Sequence, residues 1–182
     1  MVNIVLAADG NKYLVDVGFG SGGPIRPLPL KANKVSPGIP PHQIRLAYEN
    51  IEENTDPNQR LWIFQFRNDS DGTWKSNYCF AELEFLPQDY EVMSFWTSHN
   101  RKVWFTYKIV VVLMLLEHEE VVGLLALVGG EVKKRYKGDA VTLKTCSTED
   151  ERVDALKGYF AIDLSEDDRR GIMGLVTELP HR

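Results

Sequence analysis

Within the 182 residues, the run Tyr13-Leu14-Val15-Asp16-Val17 carries a single carboxylate among apolar neighbours. A glycine-rich stretch, Gly18-Phe19-Gly20-Ser21-Gly22-Gly23, follows at once. A carboxylate in such a strand is costly to bury unless it accepts hydrogen bonds or meets a cation. Asp16 therefore admits two readings. The one its spacing favours is a carboxylate held by backbone N–H groups of the glycine loop; the other is an acid with a catalytic task. The glycines permit positive φ and close backbone approach, so the loop suits an anion nest. The Gly18, Gly20, Gly23 spacing alone is a weak signal, and a plain strand-to-strand loop explains it equally well.

Two thiols are present, Cys79 and Cys146. They form no Cys-x-x-Cys pair and have no histidine at zinc spacing, which argues against a disulfide scaffold and against a metal site. Cys79, between Tyr78 and Phe80, is expected to be a small strand residue buried against a packed face and slow to react. Cys146 lies just ahead of a helix start, where a thiol pKa can be lowered, yet it too is read as structural. His42, His99, His118 and His181 fall in a loop, a loop, a turn tip and the terminus, none beside a nucleophile in sequence.

These residues need a core to position them, and 43% hydrophobic content supplies one. A net charge of −5 offers no positive field for phosphate backbones, so nucleic acid is not an expected partner. The apolar runs Ile109 to Leu116 and Val121 to Val128 flank Glu117-His118-Glu119-Glu120. Each is too short to span a bilayer, and together they predict two buried strands turning at a charged tip. No membrane partner is expected, and with no secretory pattern after Met1 a cytoplasmic location is.

Val2, Ile4 and Leu6 alternate, Asp9-Gly10 supplies a turn, and Tyr13, Val15 and Val17 resume the alternation, predicting a hairpin. The glycine- and proline-rich segment from Gly18 to Pro41 reads as loop with short extended pieces. Strands are predicted at Ile44 to Tyr48, Leu61 to Arg67 and Trp74 to Leu83, and a helical turn at Gln88 to Ser94. Phe105 to Leu116 with Val121 to Lys134 gives the strongest hairpin. Thr148 with Glu151 forms a capping box ahead of Val153, Leu156 and Phe160, and a second helix starts at Ser165 with Ile172 and Leu175 inward. Acidic residues at both helix starts suit the macrodipole.

Tyr13 to Gly20 (YLVDVGFG), then GGPIRPLPL, WIFQF, the Tyr78-Cys79-Phe80 strand, LPQDYEVMSFWTS at Leu86 to Ser98 and LVGGEVKKR near Gly130 together resemble the arylamine N-acetyltransferase family, in order along nearly the whole chain. The resemblance implies an α+β protein. A truncated papain-like fold is expected, with an antiparallel β-barrel over 1–104 and a small α/β lid over 105–182. It also implies a cytosolic enzyme that takes acetyl from acetyl-CoA onto a cysteine and passes it to an aromatic amine or hydrazine, in ping-pong order. Asp16 would be the triad aspartate and Phe19 a wall of the acceptor pocket. Gly20, Gly22, Gly23, Thr97 and Ser98 would contact the cofactor, and no metal is implied. Between Thr97 and Phe105 the chain departs from the family pattern, with Arg101 and Val103 near places where a Pro and a small hydroxyl residue are usual.

The family's nucleophile belongs to an Arg-Gly-Gly-x-Cys segment and its histidine to the strand entered at Met1, and neither is found in these 182 residues. The expectation is a chain comprising the C-terminal two-thirds of the enzyme and inactive by itself. The alternative is a non-catalytic remnant or binding module retaining barrel and lid. In either case an Asp16 carboxylate without its imidazole is expected to be uncompensated, to have a raised pKa and to cost stability at neutral pH.

Overall fold

Asp9 ends the first run of alternating residues because its carboxylate accepts from Asn11 N (2.9 Å) and from the Tyr13 hydroxyl (3.1 Å), while Gly10 adopts φ +79°. The resulting hairpin pairs β1 (Asn3–Leu6) with β2 (Lys12–Val15). The structure, a computed structural model, describes residues 2–180 and divides into two units: Met1–Leu83 with Glu119–Val122, and Glu84–His118 with Gly123–Arg182. The expected boundary after Trp104 falls within the second unit. His181 lies outside the described residues.

In the first unit β3 (Leu28–Pro29) completes an antiparallel sheet in the order β1-β2-β3. A second sheet runs β4-β5-β6-β7, from β4 (Ser36–Pro37), β5 (Gln43–Glu49), β6 (Leu61–Arg67) and β7 (Lys75–Phe80). Leu14 and Leu28 of the first sheet pack with Ile44, Leu46, Trp62 and Phe64 of the second in one core. The glycine- and proline-rich segment between them contributes only two-residue strands, and among the described residues the pairings close no barrel. The inward face of β2 is set by Leu14, fully buried, whereas Val17 lies beyond the strand and is 91% exposed. The alternation through Tyr13, Val15 and Val17 thus marks the other face.

The same parity corrects Cys79. Tyr78 and Phe80 pack against the core, so the residue between them points away, and Cys79 is exposed on β7 at the edge of its sheet. Aromatic flanks on a strand imply that the middle residue faces outward. Cys146 is buried, its thiol donates to Glu151 O at 3.4 Å, and burial is the main cause that pushes its pKa up. A thiol reagent is therefore expected to label Cys79 at least ~10-fold faster than Cys146 in the folded protein. Equal rates, read by mass spectrometry of the labelled peptides, would contradict the placement.

The second unit begins with α1 (Pro87–His99), where the helical turn expected at Gln88 to Ser94 runs on for 13 residues. Pro87 sits in its first turn, where a missing N–H is harmless, and the Asp89 carboxylate accepts from Leu86 N at 2.8 Å. Thr97 and Ser98 are therefore helical, and the segment ahead of Phe105 is a turn leading to a short 3-10 piece, Trp104–Thr106. No described helix is long and apolar enough to cross a membrane. The expected two-strand hairpin is a four-stranded meander in the order β11-β10-β9-β8. Its strands are β8 (Val110–Glu117), β9 (Glu120–Val128), β10 (Glu131–Tyr136) and β11 (Asp139–Thr145). His118 and Glu119, both at positive φ, make the charged tip between β8 and β9.

The helix α2 (Glu149–Phe160) buries Ala155, Leu156 and Phe160 against Leu127, Val132 and Cys146. Thr148 caps it, Glu151 N donating to Thr148 Oγ1 at 3.3 Å, but the expected capping box is only half formed, because the Glu151 carboxylate accepts from Ser147 N at 2.6 Å instead. Ser165 caps α3 (Glu166–Arg170), which stops too early to turn Leu175 inward; Leu175 is 55% exposed. Instead, the terminal segment is tied to α2 by a buried ion pair. Arg152, fully buried, bonds both oxygens of Glu149 and donates to Thr177 O through Nη1 and Nη2, each at 3.0 Å. Glu149 Oε2 also accepts from Leu179 N at 3.1 Å, and Glu149 N donates to Pro180 O at 3.3 Å. Glu149 thus does more than complement the helix dipole.

Candidate functional site

Asp16 follows directly on β2, whose pairing on both sides fixes the backbone that carries it. Its Oδ1 accepts from Gly18 N at 3.0 Å and from Phe19 N at 3.2 Å. The loop after the strand curls back on the carboxylate, as the spacing predicted. The carboxylate is consequently not uncompensated, which removes the reason for expecting it to destabilise the fold. Both N–H groups converge on one oxygen, so the carboxylate retains acceptor capacity for a further donor.

The loop is shaped around Phe19. Gly20 takes φ +79° and begins a 3-10 turn, Gly20–Gly22. A Cβ on Gly22 would stand 3.2 Å from Phe19 Cε1 and one on Gly23 3.2 Å from Phe19 Cβ, so any larger residue at either place pushes on the Phe19 side chain. Asn77 of β7 donates from Nδ2 to Gly22 O at 3.0 Å, tying the loop to the sheet. Phe19 itself is 43% exposed, and its ring centroid lies 4.9 Å from that of Tyr78. Tyr78 in turn stacks on Phe64 at 5.1 Å. A row of aromatic rings thus runs from the core to the surface beside Asp16.

Tyr78 was not singled out from the sequence, where it counted only as part of a strand. Its hydroxyl is buried and makes no hydrogen bond of ordinary geometry among the described residues. Burial first, and then the neighbouring Asp16 carboxylate, push its pKa up, so it stays protonated and offers a donor on the Asp16 side. The signal available in the sequence was parity: Tyr78 shares the inward face of β7 with Phe80.

Thr97 and Ser98 belong to the second unit. Thr97 Oγ1 donates within its own helix, toward Met93 O and Ser94 O, both at 3.1 Å, and Ser98 Oγ lies 2.7 Å from Ser94 O. Each hydroxyl so engaged still has lone pairs to accept a bond. His99, at the end of the same helix, stacks on Phe95 at 4.3 Å, and its Nδ1 is 3.0 Å from Phe95 O. His42 stands 5.6 Å from the Phe66 ring.

The N-acetyltransferase family profile matches residues 1–169. The N-malonyltransferase FDB2 of Fusarium pseudograminearum is 36% identical over 182 residues, an alignment covering 94% of this chain and 53% of that protein. Its counterpart in Gibberella moniliformis is 36% identical over 169 residues, covering 88% and 49%. The chain thus spans about half the length of the curated relatives it matches. Among solved structures, the arylamine N-acetyltransferase of Salmonella typhimurium superposes with a TM-score of 0.73 at 22% identity, over 94% of this chain and 59% of that one. The Mycobacterium marinum arylamine N-acetyltransferase in complex with CoA gives 0.67 at 22%, over 88% and 53%. These structural likenesses establish the mixed α/β fold.

Proposed function

The chain belongs to the arylamine N-acetyltransferase family, and from that premise we propose that it forms the acceptor side of an acyl-CoA-dependent N-acyltransferase. The observation that carries this reading is the Asp16 carboxylate, fixed at Oδ1 by Gly18 N and Phe19 N next to the exposed Phe19 ring. A carboxylate so held orients an imidazole and stabilises it when protonated. The imidazole draws the proton from a cysteine thiol, the thiolate attacks the acyl thioester and releases CoA, and an aromatic amine then takes the acyl group. Phe19 walls the amine's pocket. Gly20, Gly22 and Gly23 would let the cofactor approach the backbone, and Thr97 and Ser98 are separately proposed as cofactor contacts.

On this reading neither thiol of these 182 residues is the nucleophile. Cys79 faces outward on an edge strand and Cys146 is buried with a raised pKa, so neither is suited to the role. The acyl group is acetyl by family and malonyl by analogy with the Fusarium relative, and both are to be tested. The chain joined behind the upstream half of that N-malonyltransferase is expected to transfer acyl from acetyl-CoA or malonyl-CoA to an aminobenzoate. The 182 residues alone are expected to form no thioester on either cysteine. Acylation of Cys79 or Cys146, or transfer by the joined protein that does not depend on Asp16, would overturn the proposal.

A further inference from the structure

The register of β5 on β6 sets Arg45 opposite Gln65 and Gln43 opposite Arg67, so the two arginines are diagonal neighbours on one face. That face is opposite to the one formed by Ile44, Leu46 and Phe64, which belong to the core. Arg45 Nε donates to Gln65 Oε1 at 2.9 Å, and Arg67 donates to Gln43 Oε1 from Nε at 2.9 Å and Nη2 at 2.6 Å. Both guanidinium carbons lie over the ring of Trp74, at 4.3 and 4.5 Å from its centroid. Two planar cations are therefore aimed and half-buried with only neutral partners in hydrogen-bonding contact.

The fold leaves this charge unneutralised. Among the described residues neither arginine takes part in an ion pair. Burial pulls the Arg45 pKa down most; Glu49 makes no ion pair with it but pushes the other way, and the charge of Arg67 lowers it to a lesser degree. In the turn after β6, Asp69 accepts from Asp71 N and Asp71 from the Ser70 hydroxyl. Glutamate in place of Gln43 or Gln65 would have bonded the same guanidinium edges and cancelled the charge. Stacking on Trp74 offsets part of the cost of holding like charges close, at about 0.5–1 kcal/mol per exposed cation–π contact. It leaves the net charge of two in place.

We propose that this outer face of β5, β6 and β7 binds a phosphate-class oxyanion between Arg45 and Arg67, beside Trp74. The donors match a tetrahedral dianion better than a single carboxylate. The Gln oxygens occupy Nε of Arg45 and one edge of Arg67, so both Nη groups of Arg45 and Nη1 of Arg67 remain for a ligand. Ser76 Oγ accepts from Gln65 Nε2 at 3.3 Å and keeps its own proton to donate. A carboxylate is satisfied by one guanidinium fork; an ion with charge near two and several oxygens uses both. The site stands apart from Asp16, Phe19 and Tyr78, and it does not rest on the proposed acyl transfer.

The 182-residue chain is to be titrated with inorganic phosphate and, separately, with glycerol 3-phosphate, at ionic strength held constant with chloride. Tryptophan fluorescence is the readout, and Trp74→Phe assigns the signal. A saturable response to either ion is expected. Tighter binding of the first marks a free-ion site and tighter binding of the second an ester site. Arg45→Gln and Arg67→Gln are each expected to weaken binding roughly tenfold or more, and Arg67→Lys, which keeps the charge and loses the fork, by less. A wild-type response no greater than that to chloride would overturn the proposal and leave the cluster a cation–π support for the sheet. Unchanged affinity in both Gln variants, with circular dichroism showing them folded, would overturn it as well.

Discussion

Arg152→Met is expected to destabilise the second unit by about 3–5 kcal/mol. Arg152 is fully buried and bonds Glu149, Thr177 O and, at 3.4 Å, Gly129 O. Removing it leaves a buried carboxylate without its cation and two carbonyls without donors. For a chain of this size that loss lowers Tm by roughly 10 °C. The terminal segment should loosen first, because Thr177 O, Leu179 N and Pro180 O are all held by this pair. Amide exchange at Leu179 should therefore rise more than at Leu127, in the core of the meander. The double variant Glu149→Gln with Arg152→Met should recover part of the loss, since no unpaired charge remains. A Tm within ~2 °C of wild type for Arg152→Met would show that the pair contributes nothing net.

The Glu149–Arg152 pair also shows where the sequence stops being informative. Its i,i+3 spacing in the first turn of α2 is that of an ordinary surface pair, and only the return of Thr177 to Pro180 over it makes it buried. Local signals fared better. The strand Leu61–Arg67 lies where its apolar run between polar turns put it, and Thr148 and Ser165 cap the two helices they were expected to cap. The bonding of Asp16 to the loop was legible because a carboxylate two and three residues before free N–H groups has few other places to go. Two turns were missed in the meander, at Gly129-Gly130 and at Lys137-Gly138, and with them the strand Asp139–Thr145. Glycines in an otherwise apolar or β-branched stretch were the available signal. Tyr78 was visible only as a strand residue, because its proximity to Asp16 depends on how β7 lies relative to the end of β2.

Asp16→Asn is expected to leave stability almost untouched and to abolish most acyl transfer when the chain is joined to a partner segment carrying the cysteine and histidine. The amide oxygen of Asn can accept from Gly18 N and Phe19 N as Oδ1 does now, so the loop keeps both bonds and unfolding shifts by less than about 0.5 kcal/mol. The charge is lost, however. A neutral amide stabilises an imidazolium poorly, and its N–H group presents a donor where the imidazole N–H needs an acceptor, so the histidine settles in the wrong tautomer. The turnover rate should fall by ~10³–10⁴, as expected when the orienting member of such a triad is neutralised. Asp16→Ala separates the two roles from the other side. It removes both loop bonds and should cost about 1–2 kcal/mol of stability along with the activity. Thermal unfolding of the chain alone and turnover of the joined protein at saturating acyl donor check both variants. If Asp16→Asn unfolds more than ~1 kcal/mol below wild type while turnover drops less than ~3-fold, Asp16 holds the loop and does not serve the imidazole.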